Sequence, residues 1–263
     1  MKTKLSSNNP FKSTMRLPHA FAWEIYAELK LNGREIVALD YGAYDGRLLD
    51  QFIKDGIVCK GVSVDLNRDI VESQRSLLQL GHSLELIYKG EPLTFKDESF
   101  DCITIMGVLE HVHDQTAILN ELSRVLKKDG IFIVAVPGKH FFSFLDFGNW
   151  KFIFPNIHRF YITRRFGNEY YEKHFVQCVN GLIGDIEVEK SWHQHFRFNE
   201  LSRLLKESGF EVFKEDGFGF FFRILHNVGY LFPFLKTAIE KLMNLDARMF
   251  SSAEIFVASK KII

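Results

Sequence analysis

The sequence predicts an α/β fold: one mostly parallel sheet of seven strands with helices on both faces. Three observations carry that expectation. Short apolar β-type runs alternate with helix-like segments through the first half of the chain, the pattern of strand–helix–strand units. The run "IFIVAVP" is apolar throughout, as expected of a strand covered on both faces. A glycine-containing turn, "DYGAYDG", stands directly between the first strand and the helix that follows it.

The elements follow in order. Residues 1–34 hold an N-terminal segment and a helix, and "EIVALD" (Glu35–Asp40) is the first strand. Gly46–Asp55 has helical spacing, with Leu48, Leu49, Phe52 and Ile53 on one side. Ile57–Asp65 reads as a strand, "RDIVESQRSLLQLG" as a helix stopped by Gly81, and "SLELIY" as a short strand. "SFDCITIMGVLE" contains the fourth strand. A helix is expected from Asp114 to Lys128, with Asp114 as N-cap and Lys127 and Lys128 at the negative end of its dipole. Gly130 precedes the fifth strand. The pattern then breaks into an aromatic and basic insert, 138–198, read as a substrate cap. Asn199 is placed as the cap of a helix carrying Leu201, Leu204 and Leu205, which Gly209 ends before the sixth strand. A helical hydrophobic insert, 217–248, precedes the closing strand "SAEIFVASKK". One domain spanning 1–263 is expected.

Composition narrows the function classes. Lysine plus arginine equals aspartate plus glutamate at 33 each, so no global field would recruit nucleic acid, and any basic site is local. Cys59, Cys102 and Cys178 are far apart and form no CxxC, which disfavours disulfide and metal roles and fits a reducing cytoplasm. The N-terminus lacks the apolar run of a signal peptide. Phenylalanine is unusually abundant at 27 residues, concentrated in 140–166 and 210–234. The longest uncharged stretch there, Ile224–Leu235, contains His226, Asn227 and Pro233, and is too short and interrupted to span a bilayer. A substrate wall, a dimer face and a peripheral contact with the inner face of a membrane all remain open for it, beside plain core packing.

Ligands of open α/β sheets bind at the carboxyl ends of the strands, near the switch point. Asp40-Tyr-Gly-Ala-Tyr-Asp-Gly46 occupies that place, and Asp65 ends the second strand 23 positions after Gly42. A carboxylate there can accept both hydroxyls of a ribose.

At these residues the chain resembles the class I S-adenosylmethionine-dependent methyltransferases, in the ubiquinone-biosynthesis-like branch (methyltransferase type 11). The match rests on the loop Asp40, Gly42, Tyr44, Gly46; on "GVSVDLN"; on "PLTFKDESFDCITIMGVLEHVHD"; on "ELSRVLKKDGIFIVAVP"; and on "HFRFNELSRLLKESGFEV". Five segments in the right order are specific where a lone glycine loop is weak. Tyr44 departs from the family's middle glycine. The resemblance implies a Rossmann-like sheet and S-adenosyl-L-methionine as cofactor, with S-adenosyl-L-homocysteine as product. It implies that Gly42, Ala43, Tyr44 and Gly46 line the methionine end, with Asp40 orienting the loop. Asp65 would hold the ribose, Leu66 would lie beside the adenine, and backbone near Met106 and Gly107 would accept from the ammonium. Counting back from Phe100 leaves Lys89 or Glu91 for the adenine amino group, and Glu91 is preferred.

A hydroxyl acceptor needs a proton acceptor, and histidine serves near neutral pH. His111, after the fourth strand, and His195, in the late "HF" element, are the candidates. His158, Arg159, Arg164, Arg165 and His193 are expected on the acceptor, because arginine forks suit phosphate or carboxylate. The acceptor class they suggest is a small molecule, anionic and glycan- or lipid-linked, with a hydroxyl of a sugar, lipid-linked or secondary-metabolite intermediate as the methylated group, and an ordinary solvated surface is the competing reading. His193 and His195 also share an i, i+2 spacing, but nothing else supports a metal. A non-catalytic adenosyl-binding module is an alternative. A nicotinamide-dependent reductase is disfavoured, because Tyr26-x-x-x-Lys30 precedes the glycine loop. Amino methylation of nucleic-acid bases is disfavoured because "MGVLEHV" stands where an (Asp/Asn)-Pro-Pro-(Tyr/Phe) motif would be.

Overall fold

The structure is a computed structural model that describes residues 6–11, 17–88, 91–146, 150–151, 153–176, 194–250 and 252–262. Lys89, Cys178 and His193 lie outside the described residues. The seven strands are β1 (Val37–Tyr41), β2 (Lys60–Asp65), β3 (His82–Leu86), β4 (Phe100–Met106), β5 (Leu126–Pro137), β6 (Phe210–Phe218) and β7 (Glu254–Lys261). They form one sheet in the order β3-β2-β1-β4-β5-β7-β6. The β1–β2, β2–β3, β1–β4 and β4–β5 pairs are parallel, and β7 runs antiparallel between β5 and β6. The order reverses beside β1, which pairs β2 on one side and β4 on the other, so the crevice opens at the carboxyl ends of β1 and β4.

Each face of the sheet is covered. On one face α1 (Leu17–Leu31) and α2 (Arg47–Lys54) pack with residues of the second insert. Tyr26 and Phe52 meet edge to face at 5.0 Å, and Phe21 meets Phe256 at 5.8 Å. On the other face lie α4 (Gln115–Val125) and the late helix Phe198–Glu207, which buries Leu201 and Leu205 completely. Stacked rings of Phe132 and Phe210 at 4.7 Å join β5 to β6 there.

Several boundaries differ from the sequence expectation for local physical reasons. Strand β2 begins at Lys60 rather than Ile57, because Ile57 and Val58 close a turn onto Phe52 O before the ladder starts. Helix α3 (Arg68–Gln74) stops short of Gly81, with a 3-10 turn at Arg75–Leu77. Asp114 does cap α4, accepting from Ala117 N at 2.9 Å, but Lys127 and Lys128 belong to β5. The Leu126 carbonyl at the helix end is satisfied by Lys261 Nζ at 2.7 Å, reaching from β7. Lys127 instead pairs with Asp101 at 2.9 Å. The late helix starts at Phe198, and its N-cap is Arg197 rather than Asn199. Glu200 folds back onto the Arg197 N–H at 3.0 Å.

The insert after β5 contains α5 (Pro155–Phe166), and the late helix Phe198–Glu207 is α6. The insert after β6 is the helix pair α7 (Phe222–Leu231) and α8 (Lys236–Met249).

Candidate active site

The turn after β1 is shaped by backbone needs that only certain residues meet. Gly42 has φ +74°, and its N–H donates to Val64 O at 2.9 Å, as does Ala43 N at 3.0 Å. A Cβ on Gly42 would overlap the Val108 side chain, so glycine is required by both conformation and space. Gly46, φ +75°, opens α2, and a Cβ there would press on the His82 ring at 3.1 Å. Tyr44 takes φ +54° without being glycine, a conformation costing roughly 1–2 kcal/mol. Its ring is exposed at the mouth of the turn.

Asp65 ties the turn to β2. Its Oδ2 accepts from Tyr44 N at 2.7 Å and its Oδ1 from Asn67 N at 2.8 Å. Asn67 in turn caps α3 by accepting from Ile70 N. Burial pushes the Asp65 carboxyl up, and the N–H groups of Asn67, Tyr44 and Leu66 oppose that shift. Asp40 is buried below the turn and accepts from Thr104 Oγ1 at 2.6 Å. Burial pushes it up to about 7, against the pull of the Thr104 bond and reinforced by Asp65 and Asp45. Beneath the same turn, His82 Nε2 meets Ser63 Oγ at 2.9 Å and His82 Nδ1 meets Asp50 Oδ1 at 3.4 Å. That serine–histidine–aspartate chain is closed to substrate because Ser63 and the His82 side chain are fully buried. It braces α2 against β2 and β3.

On the β4 side, Gly107 has φ +70° and donates to Ala135 O at 3.0 Å, directly after Met106. Leu66 is exposed beside the end of β2. Glu91 lines a cleft of about 280 Å³ with Tyr41, Leu93, Ile118 and Glu121.

These residues fit an adenosyl-amino-acid ligand on their own chemistry. Asp65 has two oxygens and about four acceptor positions, shared with the backbone N–H groups of Tyr44, Asn67 and Leu66; the capacity left over can serve a ribose hydroxyl. The left-handed Gly42 and Gly46 and the start of α2 present backbone to a charged group at close range.

The ends of β4 and β5 are built up by elements far apart in sequence. Lys139 N donates to Phe196 O at 2.7 Å and Phe196 N to Pro137 O at 2.8 Å, so the "HF" element extends the carboxyl end of β5. His195 is thereby placed at the strand ends. Its Nε2 meets Asp146 Oδ2 at 2.9 Å, while Asp146 Oδ1 accepts from Arg223 Nη1 at 3.1 Å. All three side chains are largely buried. Gln115 Nε2 donates to both Leu109 O and Gln194 Oε1, fastening this element to the 3-10 turn that holds His111. His111 is itself buried in that turn, its N–H donating to Val108 O at 2.9 Å. His140 is next to the cluster; burial, then the charges of Arg223 and His195, push its pKa down to about 4.

The cap residues assigned to the acceptor sit differently. His158 is buried in the cap's own core, against Phe175 at 4.7 Å and Tyr171 at 5.7 Å. Arg159 lies over Tyr171 and pairs with Glu172 at 3.4 Å. Arg165 donates to Tyr230 O at 2.9 Å and stacks over that ring at 4.3 Å. Arg164 is exposed. At 100° per residue, positions 159, 164 and 165 leave α5 in directions roughly 100–140° apart, so the structure does not converge them on one point. Asp146, Arg223, His140 and Gln115 were not singled out from sequence. Asp146 is 49 residues from His195 and Arg223 is 77 residues from Asp146, and no local pattern announces such pairings.

A family model described as a methyltransferase domain matches residues 15–174. A demethylmenaquinone methyltransferase of Symbiobacterium thermophilum is 31% identical over 146 residues, 49% of this chain and 54% of that protein. A ubiquinone/menaquinone biosynthesis C-methyltransferase of Haemophilus ducreyi is 28% identical over 159 residues, 57% of this chain and 54% of that protein. The chain spans about half the length of the curated relatives it matches. Among solved structures, an S-adenosylmethionine dependent methyltransferase from Mesorhizobium loti superposes with TM-score 0.56 at 12% identity, covering 93% of this chain and 98% of that one. The 1,6-didemethyltoxoflavin-N1-methyltransferase of Burkholderia thailandensis, solved with its acceptor and S-adenosylhomocysteine, gives 0.55 at 15% identity, covering 97% and 80%. At such identities the likeness is one of fold.

Proposed function

This chain belongs to the methyltransferase-domain family, as a class I enzyme dependent on S-adenosyl-L-methionine, and we propose that it methylates a hydroxyl of a small molecule held at the carboxyl ends of β4 and β5. The observation that carries the cofactor half is the Asp65 carboxylate, which faces the Gly42–Gly46 turn and is fixed by the Tyr44 and Asn67 N–H groups. Gly42, Ala43, Tyr44 and Gly46 would hold the amino-acid end, Asp65 the ribose, Leu66 and Glu91 the adenine, and the backbone at Met106 and Gly107 the ammonium. Asp40 stays below the turn and sets its shape. When bound, the cofactor supplies a sulfonium methyl for in-line displacement, so the protein's contribution is positioning. Calorimetry with S-adenosylhomocysteine tests this half: Asp65→Ala is expected to weaken binding at least ~10-fold through loss of its bonding to the ribose, and equal binding overturns it.

The acceptor half rests on the His195–Asp146 hydrogen bond. A carboxylate on Nε2 orients the ring, the arrangement a histidine needs to take a hydroxyl proton. Arg223 Nη1 holds the other carboxylate oxygen of Asp146 at 3.1 Å, which fixes the carboxylate against the ring. His111, buried in the 3-10 turn after β4, is the second candidate. Asp146→Asn is expected to lower kcat by roughly 10²-fold or more and to move the acid limb of the pH–rate profile, with S-adenosylhomocysteine affinity kept. A kcat loss with an unmoved profile assigns the pair to structure alone.

The relative named as a ubiquinone/menaquinone biosynthesis C-methyltransferase supports one variant of this reading, transfer to a carbon of a quinone-type acceptor. That chemistry also needs a proton acceptor. Turnover of labelled S-adenosylmethionine with phenolic and sugar acceptors separates the two. Binding with no turnover on any acceptor would instead favour an adenosyl-binding module.

A further inference from the structure

The outward side of the cap is apolar where a solvated helix would be polar. On α5 the inward residues are His158 and Ile162. The opposite line, Ile157, Phe160 and Arg164 at i, i+3 and i+7, faces solvent, with Phe160 70% exposed. Helix α8 repeats the pattern. Ile239, Met243 and Asp246 turn inward, while Leu242, Leu245 and Met249 form a second, exposed stripe. Between the two helices the turn after α7 exposes Leu231, Phe232 and Phe234, the last at 81%. The pieces adjoin: Arg165 of α5 bonds to and stacks on Tyr230 at the end of α7, and the Tyr161 and Tyr230 rings are 5.4 Å apart.

Charge selects the occupant. The chain as a whole is neutral, yet residues 150–166 carry Lys151, Arg159, Arg164 and Arg165 with no acid, Arg159 being paired by Glu172 beyond them, and residues 231–245 carry Lys236 and Lys241 against Glu240. A second copy docked by a two-fold axis would bring these like charges together. Aromatic and aliphatic side chains bordered by arginine and lysine suit the headgroup–acyl boundary of an anionic bilayer. No helix among the described residues is long and apolar enough to cross a membrane, so the contact is one of helices lying in the interface. The same surface leads inward: Phe250, beyond the end of α8, is near Phe220 and Phe221, which meet Phe142 and, through Phe220, His140.

We infer that α5, the 231–235 turn and α8 form a docking face for an anionic lipid bilayer, through which an acceptor carried by a lipid would reach the strand ends. The docking itself does not depend on methyl transfer; only the access route rests on that reading. Cosedimentation of the full chain with vesicles of phosphatidylcholine, with and without about one-third phosphatidylglycerol, tests it. The chain is expected to sediment with the anionic vesicles and to be released by salt. Phe160→Ser/Phe234→Ser and, separately, Arg164→Gln/Lys241→Gln are expected each to weaken partitioning about ten-fold. S-adenosylhomocysteine binding, unchanged in all of them, reports an intact fold and reads the cofactor assignment independently. Failure to sediment with anionic vesicles, equal partitioning of the variants, or a dimer that Phe160→Ser/Phe234→Ser dissociates would each overturn the inference.

Discussion

Gly42 shows how much one residue can decide. Its φ of +74° and its closeness to Val108 act together, so Gly42→Ala incurs strain and overlap at once. The expected loss is about 1–3 kcal/mol of stability, read by chemical denaturation, with weaker S-adenosylhomocysteine binding. Adding Val108→Ala relieves the overlap but not the backbone strain, and is expected to restore only part of both. Asp40 makes a second prediction. Its folded pKa, about 7, exceeds the ordinary carboxylate value of 3.8, so the folded state holds a proton that the unfolded state has released. The contribution of Asp40 to stability therefore falls as pH rises from about 4 to about 7. Asp40→Asn removes that dependence, and its stability relative to the parent is expected to be higher at pH 8 than at pH 5 in paired denaturation curves. The glycines and both aspartates could be recognised in the sequence by their spacing. That Tyr44 takes a left-handed backbone, and that Asp65 bonds to its N–H, could not, because both depend on where β2 ends relative to β1.

Periodicity located nearly every element, and tertiary partners set their ends. The α4–β5 junction is the clearest case. Helix propensity and two lysines suit a helix running to Lys128, but the Lys261 ammonium takes the Leu126 carbonyl and Asp101 takes Lys127, and the chain enters the sheet instead. Helix α6 shows the reverse, since its inward leucines were legible from spacing. Leu201 and Leu205 are fully buried against the α4 face. Leu205→Ala is expected to cost about 2–5 kcal/mol, measured by chemical denaturation. Because α6 follows directly on the His195–Phe196 element, kcat is expected to fall further than cofactor affinity. The inserts were legible only as exceptions to period. Aromatic rings there serve the cap's interior and its outer surface alike, and composition does not distinguish the two.

For the molecule as a whole, buried histidines set the acid limit. Burial lowers His82, His140, His158 and His226 below the ordinary 6.5, with His140 reaching about 4. Each binds its proton more readily when unfolded, so their contribution to stability is full above about 6.5 and declines as pH falls toward 4, opposite in sign to that of Asp40. In an Asp40→Asn background, which removes the opposing carboxyl contribution, denaturation midpoints at pH 7.5, 6 and 5 are expected to drop stepwise, and His140→Gln to flatten part of the drop. The sequence by itself determined the α/β class, the number of strands, the family and the place of the glycine turn after the first strand. All of these are written in local patterns: hydrophobic period, glycine position, and acids at strand ends. Only the tertiary structure decided which residues meet across the cap. His195, Asp146 and Arg223 come together because β5, β6 and β7 bring both inserts to one end of the sheet, and the apolar stripes of α5 and α8 are outward because their other faces are already filled. Contacts between residues distant in sequence are set by packing, and packing has no one-dimensional signature.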